Sequence, residues 1–211
     1  MIGTGDRGRS PLHAGPRTKP AIANSRVPSG TEQLCLQVQQ LSLRQQMERN
    51  HFLLERLHAS SARLIQSLET GDAFEAVAEI IGNLIGSEEV AIFDYCASNE
   101  TFSLAWSWGV EPVAMRHFTS GAGMFGRAVR EGTSQFRERQ PENLLLPSEN
   151  QLTACVLLKS SHEVIGIIAI FGLLPQKNRL EWTDYELIKF LETYATIAIQ
   201  FQRLQTKQVA P

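Results

Sequence analysis

The chain has 211 residues, of which 43% are apolar, and a formal net charge of −2. This length and composition suit one domain with a hydrophobic core, flanked by tails. The nearly neutral charge argues against a general DNA- or RNA-binding surface, and no apolar run reaches the roughly 18 residues that span a bilayer. Residues 1–30 also lack the apolar segment of a secretory signal peptide.

Residues 1–30 are rich in Gly, Pro, Ser and Arg and contain one acidic residue, Asp6. Such a segment cannot bury enough apolar area to offset the entropy of ordering it, so we predict a disordered basic tail. A basic arm or an organelle transit peptide is the alternative, and Met47 is a candidate for the true start of the protein. A second disordered tail is predicted at residues 207–211.

Residues 31–70 contain neither Gly nor Pro and predict one long helix, which merges into a domain at residues 55–206. In alternating steps of four and three from Leu36, most positions are apolar and one central position is Asn50, as in the seam of a coiled coil. We expect the first half to pair with a partner and the second half to lie on its own domain. The predicted dimer seam in this helix comprises Leu43, Met47, Leu54, Leu57 and Leu64.

The next predicted elements are a helix and a β-hairpin. Asp72 and Glu75 fit a capping box at the start of a helix that ends at Gly86. Strands are predicted at residues 90–96 and 101–108, with a polar turn between them. In the second strand every other residue is large and apolar, which predicts that these residues share one face of the sheet: Phe102, Leu104, Trp106 and Trp108.

The middle of the domain is predicted as a short helix at Met124–Arg130, a strand near residues 134–137 and a polar loop at residues 138–151. A strand pair follows at residues 152–158 and 164–171. Both strands of this pair are almost entirely apolar, which indicates the buried centre of a sheet.

The final helix is predicted to begin with Thr183 as its N-cap and Glu186 as the capping-box acid. It carries two apolar stripes, one of which can pack on the sheet. The other must meet a second helix, since so many exposed aromatic side chains would form an adhesive patch. That helix is either residues 50–68 of the same chain or the same helix of a second chain. The predicted seam in the final helix comprises Phe190, Tyr194, Ile197, Phe201 and Leu204.

The order of these elements, together with three stretches of sequence, resembles the GAF domain. The stretches Gly123–Gly132, Leu152–Ile170 and Trp182–Ala198 resemble the short helix, central hairpin and closing helix of that family. The resemblance implies an α+β fold related to PAS domains, in which a six-stranded antiparallel sheet carries helices on both faces. It also implies a ligand pocket under the loops of one face and signalling through dimeric helices.

Members of the GAF family bind cyclic nucleotides, bilins, haem, small metabolites or no known ligand. The motifs of the cyclic-nucleotide and bilin binders are absent from this sequence, so the ligand stays unknown, and a small metabolite, a nucleotide and no ligand all remain open. The pocket residues expected from the resemblance are Trp106, Trp108, His117, Phe118, Met124, Phe136, Arg137 and Cys155.

No catalytic or metal-binding motif stands out in the sequence. Gly121–Gly126 matches G-x-G-x-x-G, but a polar segment precedes it, so glycines at the start of a helix explain it better than a dinucleotide site. The histidines are scattered, and the three cysteines lack metal-ligand or redox spacing. GAF-fold methionine sulfoxide reductases use clustered cysteines, whereas Cys96 and Cys155 lack the flanking motifs of that family.

We therefore expect a non-enzymatic, cytoplasmic signalling or regulatory protein that forms a homodimer through its terminal helices. We expect it to have no membrane span and not to bind DNA, and to pass its signal to a separate protein partner. A GAF-like domain with a filled pocket that serves only as an interaction module is the alternative. A methionine sulfoxide reductase is a more remote one.

Overall fold

A computed structural model of the protein describes residues 30–111, 116–140, 145–161 and 163–209. The chain divides into two compact units, residues 1–45 and 46–211. The tail predicted at residues 1–30 lies outside the described residues except for Gly30, and so do residues 210 and 211 of the predicted C-terminal tail.

The described residues form four α-helices and six strands. The helices are α1 (Gly30–Thr70), α2 (Ala73–Ile80), α3 (Gly123–Glu131) and α4 (Trp182–Val209), and α2 continues as a π-helix (Ile81–Ile85). The strands are β1 (Val90–Cys96), β2 (Thr101–Trp108), β3 (His117–Thr119), β4 (Gln135–Phe136), β5 (Ala154–Ser160) and β6 (Glu163–Ile170). None of the described helices combines the length and apolarity needed to cross a membrane.

The six strands form one antiparallel sheet in the order β3-β2-β1-β6-β5-β4. The expected six-stranded antiparallel sheet is therefore confirmed. The sequence alone indicated five of these strands, because β3 has three residues and pairs only with β2. The apolar strands β5 and β6 lie at or next to the centre, where both faces of the sheet are covered.

One face of the sheet, which we call the helix face, packs against α2, α4 and the second half of α1. The buried apolar residues of α4 recur every three or four positions and form one stripe against the strands. These buried residues are Leu187, Ile188, Leu191, Ala195, Ala198 and Ile199. Each large aliphatic side chain among them stabilises the fold by about 1.5–3 kcal/mol relative to exposure.

Strand β2 contains a one-residue bulge opposite β1. Ile92 pairs with Trp106, whereas the next residue, Phe93, pairs with Leu104, so Ala105 is left over. Leu104 therefore packs on the face opposite the helix face, while Trp106 packs on the helix face. The predicted common face for the large residues of β2 is wrong, because the extra residue reverses the alternation.

The cap at the start of α2 also differs from the prediction. The Asp72 side chain makes no capping hydrogen bond, and the Ala73 N–H donates to Oε1 of Gln202 on α4 at 2.7 Å. Asp72 instead accepts from Nη2 of Arg63 at 2.8 Å, and this hydrogen bond lowers the pKa of the Asp72 carboxyl. The predicted capping box of Asp72 and Glu75 is therefore wrong. Gln202 of α4 caps the first amide of α2, and the Asp72 carboxylate pairs with Arg63 instead.

Helix α4 begins before the predicted N-cap, Thr183. The Glu181 N–H donates to Oδ2 of Asp184 at 2.7 Å, so Asp184 takes the capping role that the sequence assigned to Glu186. The helix start was predicted about two residues late. Asp184 and Glu186 lie within one helical turn, so the sequence pattern allowed either carboxylate to be the capping residue.

Asp184 is fully buried and holds three elements of the second unit together. Its Oδ2 accepts from Nζ of Lys177 at 2.7 Å, and the same Nζ donates to the carbonyl of Ile85, the last residue of the π-helix, at 2.6 Å. Arg56 of α1 lies 3.9 Å from Oδ1. Burial lowers the pKa of Arg56, and the charge of Asp184 opposes that shift. This group of charges fixes the start of α4 beside α1 and the π-helix.

In the first unit, the described residues 30–45 are helical. All the side chains described there are exposed, including five large apolar ones with exposed fractions of 53–62%: Leu34, Leu36, Val38, Leu41 and Leu43. So much exposed apolar surface on one helix is typical of a helix that pairs with another.

Candidate functional site

The face opposite the helix face, which we call the α3 face, is where the resemblance predicts a ligand pocket. Four phenylalanines from four different elements meet there: Phe93, Phe102, Phe118 and Phe125. The centroids of their contacting rings lie 5.0–5.6 Å apart, mostly edge to face, the range in which aromatic rings attract each other. Phe93, Phe102 and Phe125 are at most 1% exposed. The space between α3 and the sheet is therefore filled by side chains.

A buried carboxylate holds α3 against the phenylalanine cluster. Oε2 of Glu149 accepts from the N–H of Met124 at 2.9 Å and from the N–H of Leu146 at 3.1 Å. Its Oε1 accepts from the N–H of Phe125 at 3.2 Å. These amides lack partners within their own helix or turn, and the positive end of the α3 dipole favours a negative charge there. Glu149 is 1% exposed, so the cap belongs to the core.

Gly123 makes the close approach of Glu149 possible. Its φ is +71°, a value that side-chain-bearing residues rarely adopt, and a Cβ at this position would overlap the carboxylate. Glycine at the start of α3 is therefore explained by helix packing and capping. This agrees with the interpretation of Gly121–Gly126 as a helix start.

Two further polar side chains, Cys155 of β5 and Arg127 of α3, interact on this face. Cys155 is fully buried, and its pKa is raised well above the usual value, first by burial and then by the charge of Glu149. The guanidinium of Arg127 acts on the same thiol in the opposite direction. Among the described residues, Nε and Nη2 of Arg127 find no hydrogen-bond partner although both atoms are buried. The thiol at this site is therefore held in its neutral, unreactive form.

The structure divides the eight expected pocket residues between the two faces. Phe118, Met124 and Cys155 pack together on the α3 face. His117 is exposed, and Arg137 donates to the backbone carbonyls of Glu149 and Asn150 at the edge of that face.

The other three lie with the helices. Trp106 and Phe136 pack against the core of the helix face, where Phe136 meets the ring of Tyr185 at 4.8 Å. Trp108 lines a groove beside α2 with Trp106. The eight residues therefore do not form one site. Glu149 and Phe125, which build the α3 face, had no signal in the sequence, because their contacts join residues more than 20 positions apart.

The predicted dimer seam of α1 is also divided. Leu64 is buried in the core of the helix face, and Leu57 packs against that core. Met47 and Leu54 are 71% and 63% exposed, and Leu43, in the first unit, is exposed as well. The predicted seam of α1 thus combines residues that pack in the core with residues that are exposed.

Four of the five residues in the predicted seam of α4 form an exposed stripe. Phe190 is half-buried and stacks on Tyr194, with ring centroids 4.5 Å apart. Tyr194, Ile197, Phe201 and Leu204 follow in steps of three and four, and their exposed fractions run from 42% to 60%. This stripe lies on the side of α4 away from the buried stripe. Residues 193–202 contain no acidic or basic residue.

No protein-family model and no curated protein sequence matched this chain. Solved structures did match. The GAF domain of a phosphoenolpyruvate-protein phosphotransferase from Coxiella burnetii superposes with a TM-score of 0.57 at 12% identity, over 74% of this chain and 96% of that one. The GAF domain of a two-component sensor histidine kinase from Bacillus halodurans superposes with a TM-score of 0.52 at 13% identity, over 64% of this chain and 96% of that one.

A third similar structure is an enzyme. The free methionine-R-sulfoxide reductase from Neisseria meningitidis, in complex with its substrate, gives a TM-score of 0.53 at 16% identity, over 72% of this chain and 93% of that one. All three similarities are below 25% identity, so they concern the fold alone. This chain has the fold of GAF domains.

Proposed function

We propose that the protein is a non-enzymatic regulatory module that acts by association, first with a second copy of itself through α4 and then with a separate signalling protein. The exposed stripe of α4 supports this most directly. Four large apolar side chains at helical spacing stay 42–60% exposed on α4, although the residues of its buried stripe are at most 2% exposed. Because the stripe carries no charge, it is complementary to itself, as a twofold interface requires.

The filled α3 face favours the interaction module over the small-molecule sensor. A ligand of drug-like size needs a cavity of roughly 300–1,000 Å³. Five grooves of about 280–810 Å³ lie on the described surface, and none is lined by any of the four phenylalanines. A ligand on the α3 face would have to displace buried aromatic rings.

The chemistry of the cysteines favours a protein without reductase activity. Cys155 is a buried neutral thiol, whereas Cys35 and Cys96 are exposed, so the described residues offer no cluster of reactive thiols. Three free cysteines also suit the cytoplasm that we propose as the location. Reduction of free methionine-R-sulfoxide by the wild-type protein, lost in a Cys96→Ser, Cys155→Ser variant, would contradict this part of the proposal.

Light scattering after size-exclusion chromatography tests the association. We expect the wild type at tens of micromolar to have twice the mass of the 23.5 kDa chain. Phe201→Glu should give the mass of one chain, because two carboxylates would then face each other in an apolar seam. Trp182→Glu is the matched control, since Trp182 is an exposed aromatic residue of the same helix outside the stripe. A wild-type monomer, or equal masses for both variants, would refute the proposal.

A further inference from the structure

A groove of about 280 Å³ lies on the helix face, between β2 on one side and α2 with the π-helix on the other. The helices contribute every third or fourth residue, and β2 contributes its last two large side chains. The lining residues are Glu75, Ala78, Glu79, Gly82, Asn83, Trp106 and Trp108.

The aromatic wall of the groove follows from the bulge in β2. The bulge turns Trp106 toward the helices, and Trp108, two residues further along the strand, turns the same way. Phe74 of α2 stacks on Trp106, with ring centroids 6.2 Å apart. Trp108 is 43% exposed, although an indole ring contributes strongly to stability when it is buried.

The backbone of the π-helix at Gly82 lies close to the exposed indole of Trp108. A Cβ added at Gly82 would lie 3.4 Å from the six-membered ring of Trp108. A larger residue at position 82 would therefore fill part of the groove. Glycine at this position keeps the helix near the ring while leaving the groove open.

The opposite rim of the groove is acidic. Glu75 and Glu79 are exposed and lie one helical turn apart. Glu79 accepts from Nε of Arg63 at 2.5 Å, but Arg63 also pairs with Asp72. Within the described part of the chain, Glu75 has no ion-pair partner. The one guanidinium of Arg63 thus pairs with the carboxylates of Asp72 and Glu79, while Glu75 is unpaired among the described residues. The acidic rim therefore carries excess negative charge.

We propose that this groove binds a small organic cation that carries a substituted ammonium group. A cation over an indole ring is attracted by the negative charge of the ring face, and the attraction grows as water is excluded. The carboxylate of Glu75 adds an attraction of the same sign. An anion would be repelled by both walls, and a neutral ligand would gain nothing from the acidic rim.

This site is independent of the association proposed for α4, because Trp108 and Glu75 are outside the exposed stripe. Replacing residues of that stripe should leave cation binding unchanged. The two proposals can therefore fail separately.

Choline and its neutral carbon isostere, 3,3-dimethylbutan-1-ol, provide a matched pair of probes. In a Trp182→Phe variant the two groove tryptophans are the only tryptophans, so excitation at a wavelength that tyrosine does not absorb reports on the groove. We expect choline to change their emission in a saturable way and the neutral isostere to bind at least about fivefold more weakly. Higher salt should weaken choline binding, because the rim carboxylates are exposed.

Variants identify the groups responsible, with isothermal titration calorimetry as a second readout that needs no fluorophore. Trp108→Leu removes the ring and keeps apolar volume, and Glu75→Gln removes the charge and keeps the shape. We expect choline to bind at least about fivefold more weakly to the first and about twofold to fivefold more weakly to the second. Glu138→Gln is the control, an exposed acid outside the groove, and should bind as the wild type does.

Three results would overturn the proposal. The first is no response to choline up to about 100 mM. The second is equal binding of choline and the neutral isostere. The third is unchanged binding by Trp108→Leu and Glu75→Gln proteins whose circular dichroism matches that of the wild type.

Discussion

Replacing Glu149 by alanine is expected to lower the free energy of unfolding by about 3 kcal/mol. The carboxylate accepts from three backbone amides, at 2.9 Å from Met124, 3.2 Å from Phe125 and 3.1 Å from Leu146. A buried donor that loses its acceptor costs about 1–3 kcal/mol. The lower end of this range, about 1 kcal/mol for each of the three amides, applies because water can enter the space that the side chain leaves.

For a domain of this size, 1 kcal/mol corresponds to about 2–4 °C in the midpoint of thermal unfolding. The Glu149→Ala midpoint should therefore fall by about 6–12 °C. Urea unfolding followed by circular dichroism measures the free energy directly. Glu138→Ala is the control, because Glu138 is an exposed acid outside this cap and should change the free energy by less than about 0.5 kcal/mol.

Hydrogen exchange separates the lost cap from a general loss of stability. The amides of Met124 and Phe125 should exchange faster in Glu149→Ala than the fall in global stability explains, since their acceptor is gone. A loss of less than about 1 kcal/mol, with unchanged exchange at both amides, would refute the idea that Glu149 caps α3.

Two further predictions concern titratable groups. A thiol reagent should modify Cys35 and Cys96 in the folded protein and reach Cys155 only on unfolding, because burial blocks access to the Cys155 thiol and raises its pKa. Fast modification of all three cysteines would contradict the packing of the α3 face. The hydrogen bond from Arg63 lowers the pKa of Asp72 in the folded protein. The pair contributes about 1 kcal/mol or less to stability. This contribution is present above the unfolded-state pKa near 3.9 and is lost as the pH falls through the lower folded-state pKa. The difference in urea midpoint between wild type and Asp72→Asn should therefore shrink from pH 7 to pH 3, and a difference independent of pH would argue against the pair.

Helical and strand periodicity predicted most of the architecture. The spacing of apolar residues in α4 identified both stripes, and the structure buries Leu191 and Ala195 while exposing Ile197 and Phe201. The continuous apolar runs of β5 and β6 predicted the buried strand pair. These patterns succeed because they depend only on the local repeat of the backbone.

The features that sequence patterns missed all depend on distant contacts. The cap of α2 comes from Gln202, which is 129 residues away from the amide that it accepts from. Glu149 reaches α3 across a loop that carries no recognisable motif. The β2 bulge is visible only in the register against β1, so the faces of Trp106 and Trp108 could not be assigned from alternation.

That bulge has an evolutionary consequence. A gain or loss of one codon near Ala105 is the smallest genetic change that carries both tryptophans to the other side of the sheet. The turn before β2 and the pairing of its first residues with β1 would be untouched. Homologues that differ in length by one residue here would then differ in which surface displays the indole rings, even where the rest of the strand is identical.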